Sequence, residues 1–68
     1  MGPLYVYARL FLAATDRREK AEIFSQAVEW LENKAETTLS DGLKDCLLSI
    51  LLSPEGERFL QWATDGET

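Results

Sequence analysis

The sequence predicts an all-α fold: a small bundle of three or four helices that dimerisation completes. Two observations lead to this prediction. Apolar residues recur at helical spacing along most of the 68 residues, and polar segments with helix-capping side chains divide them into four units. We therefore expect one domain, residues 1–68, with helices at about 3–14, 17–36, 41–52 and 54–64.

The first unit is a strongly apolar segment in which Arg9 is the single charge. Pro3 suits the first turn of a helix, because it has no amide hydrogen to lose there. The β-branched and aromatic residues within 4–12 also suit a strand, but helical spacing is kept by Leu4, Tyr7, Leu10, Phe11 and Ala14. The sequence favours the helix. A lone strand would need a partner strand from a second copy, so both alternatives imply a dimer.

The second unit begins with a capping pattern. Asp16 and Glu19 have the spacing of a capping box, in which each side chain bonds the other residue's free backbone amide. The apolar face of residues 17–36 consists of Ala21, Phe24, Ala27, Val28, Leu31 and Ala35, with one edge widened by Ile23 and Trp30. The opposite side is a polar stripe of Glu22, Gln26, Glu29, Asn33 and Glu36. The three glutamates of this stripe either keep the chain soluble or bind a basic partner.

Two further helices follow polar breaks. Thr38 and Ser40 are alternative caps for the third helix. Its apolar face is predicted to consist of Leu43, Cys46, Leu47, Ile50 and Leu51, with Leu48 and Leu52 pointing elsewhere. Ser53-Pro54-Glu55 indicates a new helix start, since serine caps, proline fits the first position and a carboxylate favours the positive helix end. The fourth helix is expected to pack through Phe59, Leu60, Trp62 and Ala63, and residues 65–68 form an acidic tail that we expect to fray.

Composition excludes the usual reinforcements of a small fold. A 68-residue chain has a marginal core unless disulfides, a metal or a partner support it. Cys46 is the single cysteine and there is no histidine, so an intramolecular disulfide and a conventional structural zinc site are both excluded. Association with another chain is the remaining support.

The same composition argues against catalysis. Without histidine, an enzyme would need an activated thiol or a carboxylate pair. Cys46 lies among leucines on its predicted helix face, as a small core residue does. Glu55 and Glu57 suit the start of the fourth helix as surface charges, and segment 41–45 places a lysine between two acids, which makes a poor calcium loop. We expect no enzyme activity, cofactor, metal or small-molecule substrate.

Charge and hydropathy narrow the partners and the location. Seven Lys and Arg against twelve Asp and Glu give a net charge of −5, which opposes binding to phosphate backbones and anionic lipid. No apolar run approaches the roughly 20 residues that span a bilayer. Residues 4–14 are apolar, but Arg9 interrupts them and no basic stretch precedes them, so we do not expect a signal peptide. The predicted location is cytoplasmic.

The first helix carries more apolar surface than three short neighbours can cover. We therefore predict a homodimer joined through this helix and the Ile23 and Trp30 edge of the second. The predicted function is non-enzymatic protein association, as an adaptor, inhibitor or assembly subunit with an unidentified protein partner. The predicted interface residues, for each of which core packing is the alternative, are Tyr5, Val6, Tyr7, Phe11, Leu12, Ile23, Trp30 and Trp62.

A nucleic-acid-binding regulator is the alternative from a different class. If residues 4–12 formed a strand, the order strand, helix, helix would be similar to ribbon-helix-helix dimers, yet Arg9 alone could read bases there. In a helix-turn-helix made of the last two helices, the second helix would open with glutamates against phosphates. The three basic residues within 17–20 form only a small cluster. Nucleic-acid binding is therefore the weaker prediction.

Overall fold

The computed structural model describes residues 2–65, and this part of the chain is all-helical. Its four α-helices, with no β-strand among the described residues, are α1 (Pro3–Ala13), α2 (Arg17–Ala35), α3 (Asp41–Leu52) and α4 (Pro54–Asp65). The all-α prediction is confirmed, and each helix begins and ends within one residue of its predicted range. Because residues 4–12 are helical, the ribbon-helix-helix alternative has no strand to use. Of the tail expected to fray, Asp65 ends α4 and residues 66–68 lie outside the described residues.

Capping side chains explain where α2 and α3 begin. The Asp16 carboxylate accepts a 2.8 Å hydrogen bond from the Glu19 amide, as the capping-box spacing predicts. Ser40 rather than Thr38 caps α3, and its hydroxyl accepts a 3.2 Å hydrogen bond from the Leu43 amide. Each bond satisfies a backbone donor that the first turn of a helix leaves free.

A polar link holds the loop between α2 and α3. The Glu32 carboxylate accepts a 2.8 Å hydrogen bond from the Leu39 amide and lies 3.2 Å from the Lys44 ammonium. The Leu39 hydrogen bond lowers the pKa of Glu32 below the ordinary 4.5; desolvation opposes this effect, and Lys44 adds to it. Glu36 ends α2 in the left-handed region, with φ of 54°, and turns the chain back toward this link.

Replacing the carboxylate at Glu32 with an amide should lower the thermal midpoint at neutral pH, because Glu32→Gln loses the charge-assisted bonds to Leu39 and Lys44. Since the pKa is lowered, this contribution is present above about pH 4.5 and is lost as the pH falls through the folded-state pKa. Thermal unfolding followed by circular dichroism at several pH values measures it. Glu29→Gln, at an exposed position of α2 that makes no hydrogen bond or ion pair with the described residues, is the matched control and should leave the midpoint nearly unchanged. Equal thermal midpoints for wild type and Glu32→Gln at neutral pH would show that the contacts of Glu32 with Leu39 and Lys44 do not stabilise the fold.

The four helices form a ring in which each packs against two neighbours. Close backbone contacts join α1 to α2, α2 to α3, α3 to α4 and α4 to α1, whereas the diagonal pairs α1/α3 and α2/α4 make none. α3 and α4 approach closely at Gly56, which is buried against the backbone of Ile50 and Leu51. The Ser53 hydroxyl supports this corner by accepting a 3.2 Å hydrogen bond from the Gly56 amide. Only side chains, and no close backbone contacts, therefore border the space in the middle of the ring.

The core inside this ring is small. Its buried cluster consists of Phe11 from α1 and Phe24 and Val28 from α2, and Ala14 is also buried. Partly buried side chains pack around the cluster: Ile23, Leu39, Leu48, Leu51, Leu52 and Leu60. No large side chain among the described residues is fully buried. The fold therefore hides only part of its apolar surface, as expected for so short a chain.

α3 turns a different face inward from the predicted one. Leu48, Leu51 and Leu52 pack on the core, whereas most of the residues predicted to face it are exposed, namely Leu43, Cys46, Leu47 and Ile50. The link to Glu32 fixes Lys44 toward α2, and Leu48 follows on the same side one helical turn later. Seven of the ten residues 43–52 are apolar, so spacing alone does not select a face. The prediction that Cys46 is a core residue is wrong for the same reason.

Candidate protein-binding groove

An open apolar groove of about 810 Å³ occupies the middle of the ring, and all four helices line it. Its floor includes the buried residues Phe11, Phe24, Val28 and Gly56. We call the large, exposed apolar residues around it the rim; these are Leu4, Leu31, Leu47, Ile50 and Phe59. The groove is therefore continuous with the core beneath it and with an apolar surface around it.

Small residues keep the groove open. Ala8 of α1, Ala27 of α2 and Ala63 of α4 line it where longer side chains would fill it, and Gly56 adds no side chain. Because the diagonal helices do not touch, no backbone contact closes the space between them. Protein interiors pack as densely as organic crystals. An unfilled space of this size therefore belongs to a surface.

The groove carries little polar chemistry. Among the residues that the structure describes, Glu55 is the single charged one that lines the groove; it lies at the exposed start of α4, 3.9 Å from the Arg58 guanidinium. The buried Thr64 hydroxyl lies 2.9 Å from the Leu60 carbonyl and 3.1 Å from the Gln61 carbonyl, so its own helix satisfies it. Small-molecule pockets fix their ligands with a few converging polar groups, and these lining residues offer no such charged or amide set. The lining is therefore better suited to contact with the apolar surface of another protein than to binding a small polar ligand.

Beside the groove, α4 exposes an aromatic pair that we call the ridge, Phe59 and Trp62. Their ring centres are 6.3 Å apart, and the two residues are 57% and 73% exposed. Phe59 also belongs to the rim, whereas Trp62 does not line the groove. Tryptophan is usually well buried in a folded chain. Such exposure of its large ring leaves an aromatic surface uncovered next to an apolar opening.

The residues of α1 that sequence analysis assigned to the interface are divided between two surfaces. Tyr5 and Tyr7 line the groove and are half-buried. Phe11 also lines it, but at 4% exposure it belongs to the chain's own core. Val6 and Leu12 lie on the side of α1 next to α4, along a second and smaller cleft. The expectation that this chain leaves α1 partly uncovered agrees with the exposure of Leu4, Val6 and Leu10.

The predicted α2 edge lies apart from the groove. Ile23 packs against the core and Trp30 is half-buried, and neither residue lines the groove. Trp62 is exposed on the ridge. Four rim residues, Leu31, Leu47, Ile50 and Phe59, were predicted to pack within the chain, whereas Leu4 belongs to the helix that was predicted to form the interface. The surplus of apolar residues on α3 was the available signal, since one helix face cannot bury seven of ten positions.

Acidic side chains are concentrated away from the groove, on the polar stripe of α2 and in a cleft between α2 and α3. The polar stripe of α2 is exposed along its length, as predicted. Glu29 of this stripe also lines a separate, more polar cleft between α2 and α3, together with Asp41 and Asp45. None of these acids lines the apolar groove. Charge and apolar surface are therefore segregated within the described part of the chain.

One residue of the basic cluster at the start of α2 is engaged within the fold. Lys20 donates a 2.7 Å hydrogen bond to the Phe11 carbonyl at the end of α1, and its ammonium lies 4.7 Å from the centre of the Phe11 ring. Arg18 lies 3.8 Å from Glu22 on the exposed side of the same helix. Lys20 therefore stabilises the end of α1, whereas Arg17 and Arg18 stay exposed.

Other kinds of site find little support in the described residues. Within residues 2–65, no group of three or more Cys, Asp or Glu is placed to hold a metal ion. The thiol of Cys46 is unpaired and exposed on α3. None of the helices formed by this part of the chain combines the length and apolar character needed to cross a bilayer.

Comparisons with known proteins found no match: no family model fits the sequence, and no curated protein or solved structure is significantly similar to it.

Proposed function

We propose that the chain is a non-enzymatic protein-interaction module that associates through the apolar groove, as an adaptor, inhibitor or assembly subunit in the cytoplasm. One observation carries the proposal. Rim residues from all four helices stay exposed around an opening whose lining holds a single charged side chain. Single exposed apolar side chains are ordinary on soluble proteins, whereas a contiguous group of them marks a candidate interaction site. The predicted interface comprised the first helix and the Ile23 and Trp30 edge of the second; α1 lines the groove, and that edge does not.

Energetics favour a partner that covers the whole rim. Full burial of one Leu, Ile or Phe side chain is worth about 1.5–3 kcal/mol relative to exposure. Association costs about 4–15 kcal/mol in lost freedom, so several such side chains must be covered together. A helix that lays an apolar face into a groove meets this requirement through anchors spaced three or four residues apart. A small ligand that touched one end of the groove would not.

Photo-crosslinking from the rim tests the proposal. The chain is purified with a benzophenone amino acid in place of Leu47. It is then mixed with an extract of cells that make the wild-type chain, and the mixture is irradiated. We expect discrete protein adducts, because Leu47 lines the groove and is exposed. Excess wild-type chain should suppress these adducts, whereas the Ile50→Glu variant, with a charge on the rim, should not.

The matched control carries the same amino acid at Glu29, on the solvated side of α2, and should give few adducts. Equal adducts from the two positions would contradict an interface at the groove. Adducts that nuclease removes would favour the nucleic-acid alternative and would also contradict the proposal.

A further inference from the structure

We infer that the occupant of the groove is a second copy of this chain, and that each copy inserts its α4 ridge, Phe59 and Trp62, into the groove of the other. This inference rests on the proposed function and names the partner of the same site. It assigns Trp62 the role of interface anchor. Shape, exposed apolar side chains and charge each support it independently.

The shape of this face is self-complementary. A two-fold axis joins the same patch on both copies, so the patch must contain a projecting part and a receiving part. Both lie on α4: Trp62 projects at 73% exposure, and Phe59 and Ala63 beside it line the groove. Two α4 helices that cross antiparallel therefore bring each ridge over the groove of the other copy. Tryptophan in a desolvated pocket is the commonest kind of interface anchor.

The exposed apolar side chains are concentrated at this face. The rim and the ridge include the three most exposed large apolar residues among those described, Trp62, Phe59 and Ile50. A two-fold contact through this face covers these side chains on both copies at once.

Charge selects this face for contact between two acidic copies. Each copy carries a net charge of −5, so approach is least costly where acids are fewest. Within residues 2–65, Glu55 is the single acid that lines the groove, and Arg58 lies 3.9 Å from it on the same helix. The cleft between α2 and α3 instead presents Glu29, Glu32, Asp41 and Asp45. Two copies therefore repel each other less across the groove than across that cleft.

Fluorescence of Trp62 tests the inference directly. In the Trp30→Phe variant, Trp62 is the single tryptophan, and its emission is recorded over a dilution series together with the sedimentation coefficient. We expect short-wavelength emission in concentrated samples, because the indole then lies in the groove of the other copy. Dilution should shift the emission to the red with the same midpoint as the fall in mass.

A second arm uses Trp62→Ala in the wild-type background. Because Trp62 is exposed within a single chain, the variant should keep its helical circular dichroism spectrum. Its dimer Kd should rise at least about tenfold, as expected for an aromatic hot spot. Gln61→Ala, at the neighbouring exposed position outside the groove, is the matched control and should leave the Kd nearly unchanged.

The outcomes separate this inference from the proposed function. A dimer whose Trp62 emission does not change with concentration, or whose Kd Trp62→Ala leaves unchanged, would overturn the inference. A chain that stays monomeric would overturn it as well. In that case, crosslinks from position 47 to a different protein would leave the proposed function standing, and the absence of protein crosslinks would remove both.

Discussion

Replacing Gly56 with alanine should destabilise the folded chain by about 1–3 kcal/mol or more. A Cβ at this position would overlap the Ile50 carbonyl oxygen and lie 2.6 Å from the Leu51 Cα. Both are backbone atoms, so no side-chain rotation relieves the overlap, and α3 and α4 must move apart. The core of a domain of this size rarely supplies more than about 3–5 kcal/mol. The substitution should therefore remove a large part of the stability of the fold.

The control for this prediction is Gly42→Ala. Nothing lies within 4 Å of a Cβ built at Gly42, which is exposed in the first turn of α3. Alanine in a helix is more stable than glycine by about 0.5–1 kcal/mol, so this variant should gain stability. Urea unfolding followed by circular dichroism compares the two midpoints. A Gly56→Ala midpoint at or above that of wild type would contradict the close approach of α3 and α4.

The second large effect is expected at Phe11. Its ring is buried between α1 and α2 against Phe24 and Val28, and truncation of a buried phenylalanine to alanine costs about 3–5 kcal/mol. This cost is comparable to the whole stability of a small domain. Phe11→Ala should therefore lose most of its helical circular dichroism signal, which measures the fraction folded.

Phe59→Ala is the matched comparison, because the same chemical change is made on the rim instead of in the core. Phe59 is 57% exposed in the single chain, so the variant should stay folded at concentrations where wild type is monomeric. At higher concentrations its association should weaken, since the ridge loses one of its two rings. A Phe59→Ala variant that unfolds, together with a Phe11→Ala variant that stays folded, would contradict the assignment of Phe11 to the core and Phe59 to the rim.

Helix positions were predictable from sequence because their signals are local. Pro3, the Asp16–Glu19 pair and the Ser53-Pro54 start each act within one turn, and the helices begin where these residues place them. The buried face of α2 was predictable only in part. Phe24 and Val28 are buried as predicted, whereas Leu31 and Ala35, towards the end of the same predicted face, are exposed.

The groove could not be predicted, because it depends on how the helices are arranged around the ring. Its opening requires that diagonal helices stay apart and that small residues of different helices, such as Ala27 and Ala63, line the space between them. No single helix encodes that arrangement. The orientation of α3 was misassigned for a related reason: with apolar residues on several sides, its inner face is set by the tertiary link between Glu32 and Lys44.

In the proposed homodimer, a second copy covers the apolar surface that a single chain leaves exposed at the groove. Sedimentation velocity of the wild-type chain from micromolar to millimolar concentration tests this arrangement. We expect a species of 7.7 kDa in dilute samples that gives way to one of twice that mass as concentration rises. A fully helical chain that sediments as a single copy across the whole range would contradict it.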